Sequence, residues 1–430
     1  MSLSRRQACL LPFATLLPEL GNAEPETPRP TLFLGDSITY SGQFIAYLEA
    51  YIRLLRPGTT PYFINCGLPS ETVSGLTEPN HAGGAFPRPD LHERLERVLA
   101  LVKPERVVAC YGMNDGIYYP FSEERFERFK SGIIRLREKA GVPVLHLTPP
   151  VFDPRPIQGS TLPAGRNEYP SGSPFEGYDT VLQRYSQWLL EQRKQGWQVV
   201  DTHTPMMRHL EKRRQIDPKY LLAGDGVHLN DWGHWLIAKA VLDFWKIRRR
   251  NRHDNVTLTY DPNLSPSFAQ ESVSLRLPAP LPSTGEVDQE LIKQENPFAT
   301  LGDQRLIIKM PDSRRLAISE SLSHSGDVRS EAVVSLGEYT QESCMRGIPT
   351  LQFTRSSLQM RSLAFYYLIR DRQRVLSDSY LTTAGHKRPG MSQGLPVEQV
   401  QQKAEELAKR IETQVNQTHR IQMTLRPLSD

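Results

Sequence analysis

The stretch TLFLGDSIT, residues 31–39, decides the fold assignment for the first half of the chain. Residues 31–34 are a continuous, mainly apolar run, which predicts a strand buried on both faces. Gly35, Asp36 and Ser37 then interrupt the run, with a glycine that permits a tight turn and two side chains that commonly cap helices. A strand that leads through such a turn into a helix is the repeating unit of a parallel sheet covered by helices.

The same alternation continues to about Trp245. Further strands are predicted at 62–66, 106–111, 142–148 and 198–201. Helical periodicity is found at 44–55, 91–102, 123–140, 179–195 and 232–248. We therefore expect residues 30–250 to form an α/β domain, a three-layer α/β/α sandwich with a five-stranded parallel sheet of the flavodoxin-like kind.

The pattern changes after residue 250. Short alternating runs at 256–260, 272–277, 305–309 and 316–319 suggest a small antiparallel β-domain within residues 251–350. Helical periodicity returns at 363–376 and 397–415, so a helical C-terminal segment is expected over residues 351–430.

Residues 1–23 have the layout of a signal peptide. Arg5 and Arg6 precede the short apolar stretch 8–17, and small residues follow at 21–23. The sequence therefore predicts a secreted or periplasmic protein, with a frayed cytosolic N-terminus as the alternative. Other segments fall short of membrane-spanning length, so stable membrane insertion is not expected.

Charge and cysteine content narrow the possible partners. The 52 Lys and Arg residues against 48 Asp and Glu residues give a formal charge of +4, too weak a field to predict nucleic-acid binding. Cys66 and Cys110 end two predicted strands. They are expected to be buried free thiols, with a disulfide bond between them as the alternative. No Cys-x-x-Cys pair is present to suggest a metal site.

Three polar motifs follow predicted strands. Ser37 lies just past the first strand, a position where a serine can act as a nucleophile or as a helix cap. Asp225 and His228 are three residues apart after the fifth, so the carboxylate could orient the imidazole as a base for a serine hydroxyl. Asn114 follows the third and could donate to an oxyanion. Because parallel strands end at the same edge of a sheet, the three motifs are expected to meet.

The order of these motifs resembles the GDSL-type, Ser-Gly-Asn-His hydrolase family, over roughly residues 30–250. Gly35-Asp36-Ser37 matches its first block, residues 112–115 its third, and Asp225-x-x-His228 its last. The resemblance implies that Ser37 attacks, His228 acts as the base and Asp225 orients it. It also implies that the Ser37 amide, a glycine amide and the Asn114 side chain bind the oxyanion.

The second block departs from the family pattern. Ser70 stands where the family usually has its oxyanion glycine, and Gly67 is an alternative donor. A serine keeps the backbone N–H, so the donor survives if serine tolerates the required conformation. We therefore assign the oxyanion hole to Ser37, Ser70 and Asn114.

Two long loops, 79–89 and 152–177, follow strands and are expected to bind substrate. The candidate substrate-binding residues are Asp36, Gly67, His81, Tyr118 and His203. His203 could also ligate a metal or be purely structural. A sugar-stacking platform could include Trp232, although packing in the core is the plainer interpretation.

The expected function is a secreted serine esterase that removes O-acetyl or other short acyl groups from carbohydrates. Its partner would be a small-molecule or polysaccharide ester substrate. The alternatives are a lipase or thioesterase, and a non-catalytic glycan-binding protein on a hydrolase scaffold.

Overall fold

The computed structural model describes residues 29–170, 172–247, 255–261, 263, 267–282, 294–295, 304–322, 332–391 and 393–428. The predicted signal peptide, residues 1–23, lies outside the described residues.

A five-stranded, all-parallel sheet is the centre of the first half of the chain. Its strands are β1 (Thr31–Gly35), β2 (Phe63–Asn65), β3 (Arg106–Cys110), β4 (Val144–Leu147) and β5 (Gln198–Val200). The spatial order is β2-β1-β3-β4-β5. Because β1 lies between β2 and β3 and pairs with both, the segments that follow these three strands leave the sheet side by side. The predicted three-layer fold with five parallel strands is confirmed.

Helices cover both faces of this sheet. They are α1 (Ser37–Tyr40), α2 (Gln43–Leu55), α3 (Leu95–Val102), α4 (Glu123–Ala140), α5 (Asp179–Glu191), α6 (His203–Ile216) and α7 (Asp231–Phe244). Short 3₁₀ turns lie at His81–Gly84, Leu91–Glu93, Arg155–Ile157 and Gln192–Gln195. The bounds of α4 agree with the prediction because both ends carry strong signals: Ser122 caps the first turn, and Gly141 ends the helix at a φ of 63°.

The sequence analysis missed α6. Its buried face includes the polar residues His209 and Arg213 beside Met206 and Leu210, so the helix lacks a clear apolar stripe. The buried His209 ring has a hydrogen-bond partner for each nitrogen: Nδ1 lies 2.8 Å from Glu295 Oε1, and Nε2 lies 2.9 Å from the Tyr220 hydroxyl. Such tertiary partners leave no periodic signal in the sequence.

Two smaller sheets follow. One has the order β10-β9-β12-β7 and the other β11-β8-β6. Their strands are β6 (Val256–Thr259), β7 (Ala269–Arg276), β8 (Arg305–Lys309), β9 (Arg315–Leu322), β10 (Ala332–Tyr339), β11 (Ile348–Pro349) and β12 (Thr418–Leu428). The expectation of purely antiparallel strands is wrong for β6, which pairs with β8 in parallel.

The C-terminal region contains α8 (Gln341–Arg346), a 3₁₀ turn at Thr350–Gln352, α9 (Ser357–Ala384) and α10 (Val397–Asn416). The predicted C-terminal helices are therefore present, but the helical assignment of 351–430 leaves out β12. This last strand lies between β7 and β9, pairing with both in antiparallel fashion. A strand far along the chain thus completes a sheet begun about 150 residues earlier.

The helix α9 packs directly on the hydrolase half. The ring of Tyr366 stacks on Tyr47 of α2 with 4.3 Å between centroids, and both side chains are fully buried. Gln373 donates to the buried carboxylate of Glu49 at 2.8 Å. As a result α2 is buried on nearly all sides. Residues of the C-terminal region therefore complete the hydrophobic core that begins at residue 31.

Within the described part of the chain, none of the helices combines the length and apolar character needed to cross a membrane. Cys66, Cys110 and Cys344 are buried free thiols, so Cys66 and Cys110 do not form a disulfide bond.

Candidate active site

Ser37, His228 and Asp225 form a continuous chain of hydrogen bonds. The Oγ of Ser37 lies 2.9 Å from Nε2 of His228, and Nδ1 of the same ring lies 2.6 Å from Oδ2 of Asp225. With the ring N–H at Nδ1 directed to the carboxylate, Nε2 is left to accept the serine proton. The structure thus brings together three residues separated by up to 191 positions.

The turn after β1 holds Ser37 in place. The Asp36 side chain caps α1, with its Oδ1 accepting the Ile38 N–H at 2.9 Å. A Cβ atom added at Gly35 would lie 2.2 Å from the Thr39 hydroxyl and 2.6 Å from the Cys110 carbonyl. The close approach of β1, β3 and α1 at this turn therefore requires glycine.

The loop between α6 and α7 orients the imidazole. Besides its bond to the ring, Asp225 accepts the backbone N–H groups of His228 at 2.7 Å and Val227 at 3.0 Å. Partial burial acts to raise the pKa of Asp225, but the hydrogen bonds from the His228 ring and these N–H groups lower it below its ordinary value. Asp225 is therefore held as a carboxylate, the form that accepts the ring N–H.

Gly226 joins this loop to the long 152–177 loop. Its carbonyl accepts the Asp153 N–H at 2.9 Å, and its φ is +79°. A Cβ atom added there would lie 2.5 Å from the Asp153 carbonyl. The Asp153 side chain forms an ion pair with Arg214 of α6. The loop that carries Asp225 and His228 is thus fixed by contacts outside it.

Asn114 lies in a turn held by a buried carboxylate. Asp115 is fully buried and accepts the N–H groups of Gly112, Val73 and Ser74 at 2.8–2.9 Å. The Asn114 side chain donates to the Glu71 carbonyl at 3.2 Å, which ties the turn after β3 to the segment after β2. One N–H of the Asn114 amide group remains for an oxyanion.

Ser70 adopts the conformation that a glycine would favour, with a φ of +68°. Glu71, the next residue, provides the carbonyl that Asn114 contacts, so Ser70 lies close to Asn114. Among the described residues, no hydrogen-bond acceptor is found for the backbone N–H of Ser70 or of Ser37. Both groups therefore keep the capacity to donate to a ligand.

Two candidate residues have structural roles instead. The Gly67 N–H donates to Asn65 Oδ1 at 2.9 Å, so Gly67 is wrong as an alternative oxyanion donor. A Cβ atom at Gly67 would lie 2.5 Å from the Tyr40 nitrogen, which leaves no room for substrate there either. Asp36 is 2% exposed and caps α1, so its assignment to substrate binding is also wrong.

Both histidines proposed to bind substrate are buried. His203 begins α6, and its Nε2 lies 3.1 Å from Asp179 of α5, which corrects its assignment to the pocket. His81 lies 2.8 Å from Glu78 through Nδ1, while its Nε2 is buried without a hydrogen-bond partner among the described residues. Trp232 is 2% exposed and packs in the core, so it cannot stack on a sugar.

Tyr118 faces a cavity next to the Asp225 loop. The cavity has a volume of about 290 Å³. Its walls include Ile117 and Tyr118 after β3, Ile157 and Tyr169 of the long loop, and Asp225. Tyr118 also donates through its hydroxyl to Oδ1 of Asn114 at 3.0 Å. The cavity therefore adjoins Asp225 of the Ser–His–Asp chain, and Tyr118 in its wall contacts Asn114.

The sequence analysis missed an ion pair at the same cavity. Glu78 and Arg88 both line it, and both side chains are more than 90% buried. The only sequence signal was an acidic residue just before the 79–89 loop and a basic residue near its end, which is ordinary for a surface loop. Among the described residues, no group of three or more His, Cys, Asp and Glu side chains could hold a metal ion.

An all-parallel sheet with a Ser–His–Asp chain at its carboxyl edge is an arrangement for acyl transfer. Residues 33–236 match the model of the GDSL-like lipase/acylhydrolase family. These residues are therefore a GDSL-like lipase/acylhydrolase domain, and the chain is an enzyme of the class that hydrolyses ester bonds. The resemblance noted in the sequence is confirmed.

No curated protein matches the chain. Among solved structures, BT4096, described as a gut microbial diltiazem-metabolizing enzyme, has a TM-score of 0.62 at 14% identity, over 93% of this chain and 98% of that chain. TesA has a TM-score of 0.32 at 20% identity, over 51% and 98%. The psychrotrophic esterase EstA from Pseudoalteromonas sp. has a TM-score of 0.32 at 15% identity, over 51% and 97%. The likeness to BT4096 shows that a fold like that of most of this chain, extending beyond residues 33–236, occurs in another protein.

Proposed function

We propose that this chain is a secreted serine esterase that removes O-acetyl or other short acyl groups from carbohydrate-like substrates. The observation that carries the proposal is the hydrogen-bonded chain from Ser37 through His228 to Asp225, with distances of 2.9 and 2.6 Å. The export part of the proposal rests on the sequence of residues 1–23, and the N-terminal residue of the mature protein tests it.

The chemistry follows from this arrangement. Ser37 Oγ attacks the ester carbonyl while His228 Nε2 takes its proton, and Asp225 stabilises the imidazolium that forms. The N–H groups of Ser37 and Ser70 and the amide of Asn114 bind the oxyanion. His228 then protonates the leaving alcohol, and a water activated by the same ring releases the acyl group from Ser37. These steps use no metal or organic cofactor.

The cavity beside Asp225 supports the choice of substrate. Its volume of about 290 Å³ is at the lower end of the range for ligand pockets, which suits one sugar-sized ring better than a long acyl chain. Tyr118 and Tyr169 offer aromatic walls, while Ser160 offers a polar group for sugar hydroxyls. The Glu78–Arg88 pair balances its own charge, so an uncharged substrate fits this cavity better than an anion.

The test compares the natural protein with Ser37→Ala on acetylated sugars and on aryl esters of two to twelve acyl carbons. We expect hydrolysis of short acyl esters that falls by roughly 10³-fold or more in Ser37→Ala, because the nucleophile is lost. An organophosphonate should label the natural protein at Ser37, as located by peptide mass spectrometry.

Ser41→Ala is a matched control, since Ser41 lies four residues further along, next to α1, where its hydroxyl contacts the Ile38 carbonyl and His234. It should retain activity and labelling. Unlabelled Ser37 with no hydrolysis would favour a non-catalytic glycan-binding protein. A preference for dodecanoyl over acetyl esters would favour a lipase or thioesterase.

A further inference from the structure

The buried ion pair of Glu78 and Arg88 has a rigid geometry. Arg88 donates to Glu78 through Nε at 2.5 Å and through Nη2 at 2.7 Å, a two-bond contact between planar groups. The side chains are 4% and 9% exposed. Burial acts to raise the pKa of Glu78, but the hydrogen bonds from His81 and Arg88 lower it to about 2. Glu78 therefore stays ionised and fixes the plane of the guanidinium.

From this position Arg88 reaches the backbone of Ser70. Its third nitrogen, Nη1, donates to the Ser70 carbonyl at 3.4 Å. Ser70 has a φ of +68°, which side-chain-bearing residues adopt only when their surroundings hold them there. The bond from Arg88 is one such restraint, and it acts on the residue whose N–H is proposed to bind the oxyanion.

Arg88 also contacts the side chain that orients Asn114. The guanidinium carbon lies 5.4 Å from the centroid of the Tyr118 ring, within cation–π distance. The Tyr118 hydroxyl donates to Oδ1 of Asn114 at 3.0 Å. Because the amide oxygen accepts this bond, the NH₂ group of Asn114 is directed to the other side, where it contacts the Glu71 carbonyl.

We propose that Arg88, held by Glu78, is a positioning residue that holds two of the three oxyanion donors in place: the Ser70 N–H and the Asn114 amide. This inference rests on the proposed function. It also explains why Ser70 can stand where the family usually has its oxyanion glycine. A serine can occupy the left-handed conformation here because Arg88 restrains its carbonyl. Arg88 touches neither the nucleophile nor the base, so it acts through Ser70 and through Tyr118.

The test removes the pair without leaving a buried charge, by the double variant Glu78→Gln/Arg88→Gln. We expect kcat on an aryl acetate to fall roughly 10- to 100-fold, a large part of the effect of losing one oxyanion donor, while KM changes less than about threefold. Adding Ser70→Gly should then restore kcat roughly tenfold, since glycine adopts the required φ without a restraint.

The matched control is Glu338→Gln/Arg315→Gln, which removes an exposed ion pair of 2.7 Å between β9 and β10 and should leave kcat unchanged. If the double variant at Glu78 and Arg88 does not fold, as judged by its thermal transition, Arg88→Lys replaces it, because lysine keeps the charge but lacks the planar fork. Arg88→Lys should show the same loss of kcat.

A folded variant with unchanged kcat overturns the proposal, as does a loss confined to KM or a failure of Ser70→Gly to restore kcat. Hydrolysis that persists in Ser37→Ala would instead overturn the proposed function, so the two failures are distinguishable.

Discussion

Asp36 stands immediately before Ser37 with its carboxyl group almost wholly removed from water. Burial raises the pKa of this carboxyl to about 7 from an ordinary value of 3.8, and the nearby Asp115 and Glu71 add to the shift. The bond from the Ile38 N–H and the proximity of His228 oppose it. The residue therefore caps α1 at a cost in stability that depends on pH.

The Asp36→Asn variant measures that cost. Between pH 4 and 7 the unfolded chain ionises at Asp36 while the folded protein keeps the proton, so the natural protein loses stability as pH rises through this window. Asparagine caps α1 equally well but does not ionise. We expect the free energy of unfolding of Asp36→Asn to increase relative to the natural protein by up to about 1.4 kcal/mol per pH unit.

Urea unfolding of both proteins at several pH values between 4 and 7 gives this difference directly, because contributions of other groups cancel. A difference that stays constant with pH would contradict the raised pKa of Asp36.

Single residues also mark the limits of sequence reasoning. The contact of Ser37 with His228 and Asp225 was predictable because the motifs that carry them follow strands of one parallel sheet, and because Asp225 and His228 have a recognisable local spacing. Arg88 was not, since an arginine in a loop looks the same whether it is solvated or paired with Glu78 in the interior. Gly67 was misassigned because the sequence does not reveal that Asn65 accepts its N–H.

At the scale of elements, the 152–177 loop and the loop between α6 and α7 depend on one another. The backbone bond from Asp153 to Gly226 joins them, and the ion pair from Asp153 to Arg214 joins both to α6. The long loop also pairs with the turn after β3, where Phe175 donates to the Tyr118 carbonyl at 2.9 Å. The loop that forms one wall of the cavity therefore also supports the residues proposed for catalysis.

Gly226→Ala tests this dependence. The new Cβ atom would meet the Asp153 carbonyl, and alanine at positive φ costs about 1–2 kcal/mol, so the loop should shift and displace His228. We expect kcat/KM on an aryl acetate to fall roughly 10- to 100-fold, as small displacements of catalytic groups commonly cause.

Gly224→Ala is the matched control, because a Cβ atom there meets nothing within 4 Å and the residue does not have a positive φ. Equal activities of the two alanine variants would show that the contact with the long loop does not position His228.

At the scale of the whole molecule, the C-terminal region is part of the hydrolase core. The α2 helix is covered by α9. Its buried Glu49 accepts a hydrogen bond from the Gln373 amide and forms an ion pair with Arg53. The β12 strand, which follows α10, completes the four-stranded sheet. The sequence patterns change near residue 250. The division of the chain into independent domains at that point stays a prediction.

Tyr366→Ala tests whether the two halves unfold together. Loss of a fully buried ring that stacks on Tyr47 should lower the free energy of unfolding by about 3–5 kcal/mol. Because Tyr47 belongs to the hydrolase half, the temperature at which esterase activity is lost should fall with the transition seen by circular dichroism.

Tyr367→Ala, at the neighbouring position with 38% exposure, should cost less than about 1 kcal/mol. If Tyr366→Ala left the thermal loss of activity unchanged while part of the circular dichroism signal shifted, the halves would be independent.

The sequence by itself determined the parallel sheet, most of its helices and the three motifs at its edge, because apolar periodicity, caps and chemically constrained residue types are local signals. Only the tertiary structure decided the pairing of Glu78 with Arg88, the burial of α2 under α9, and the place of β12 between β7 and β9. Those features depend on contacts between residues far apart in the chain, where a buried polar group is stabilised by a partner that no local pattern specifies.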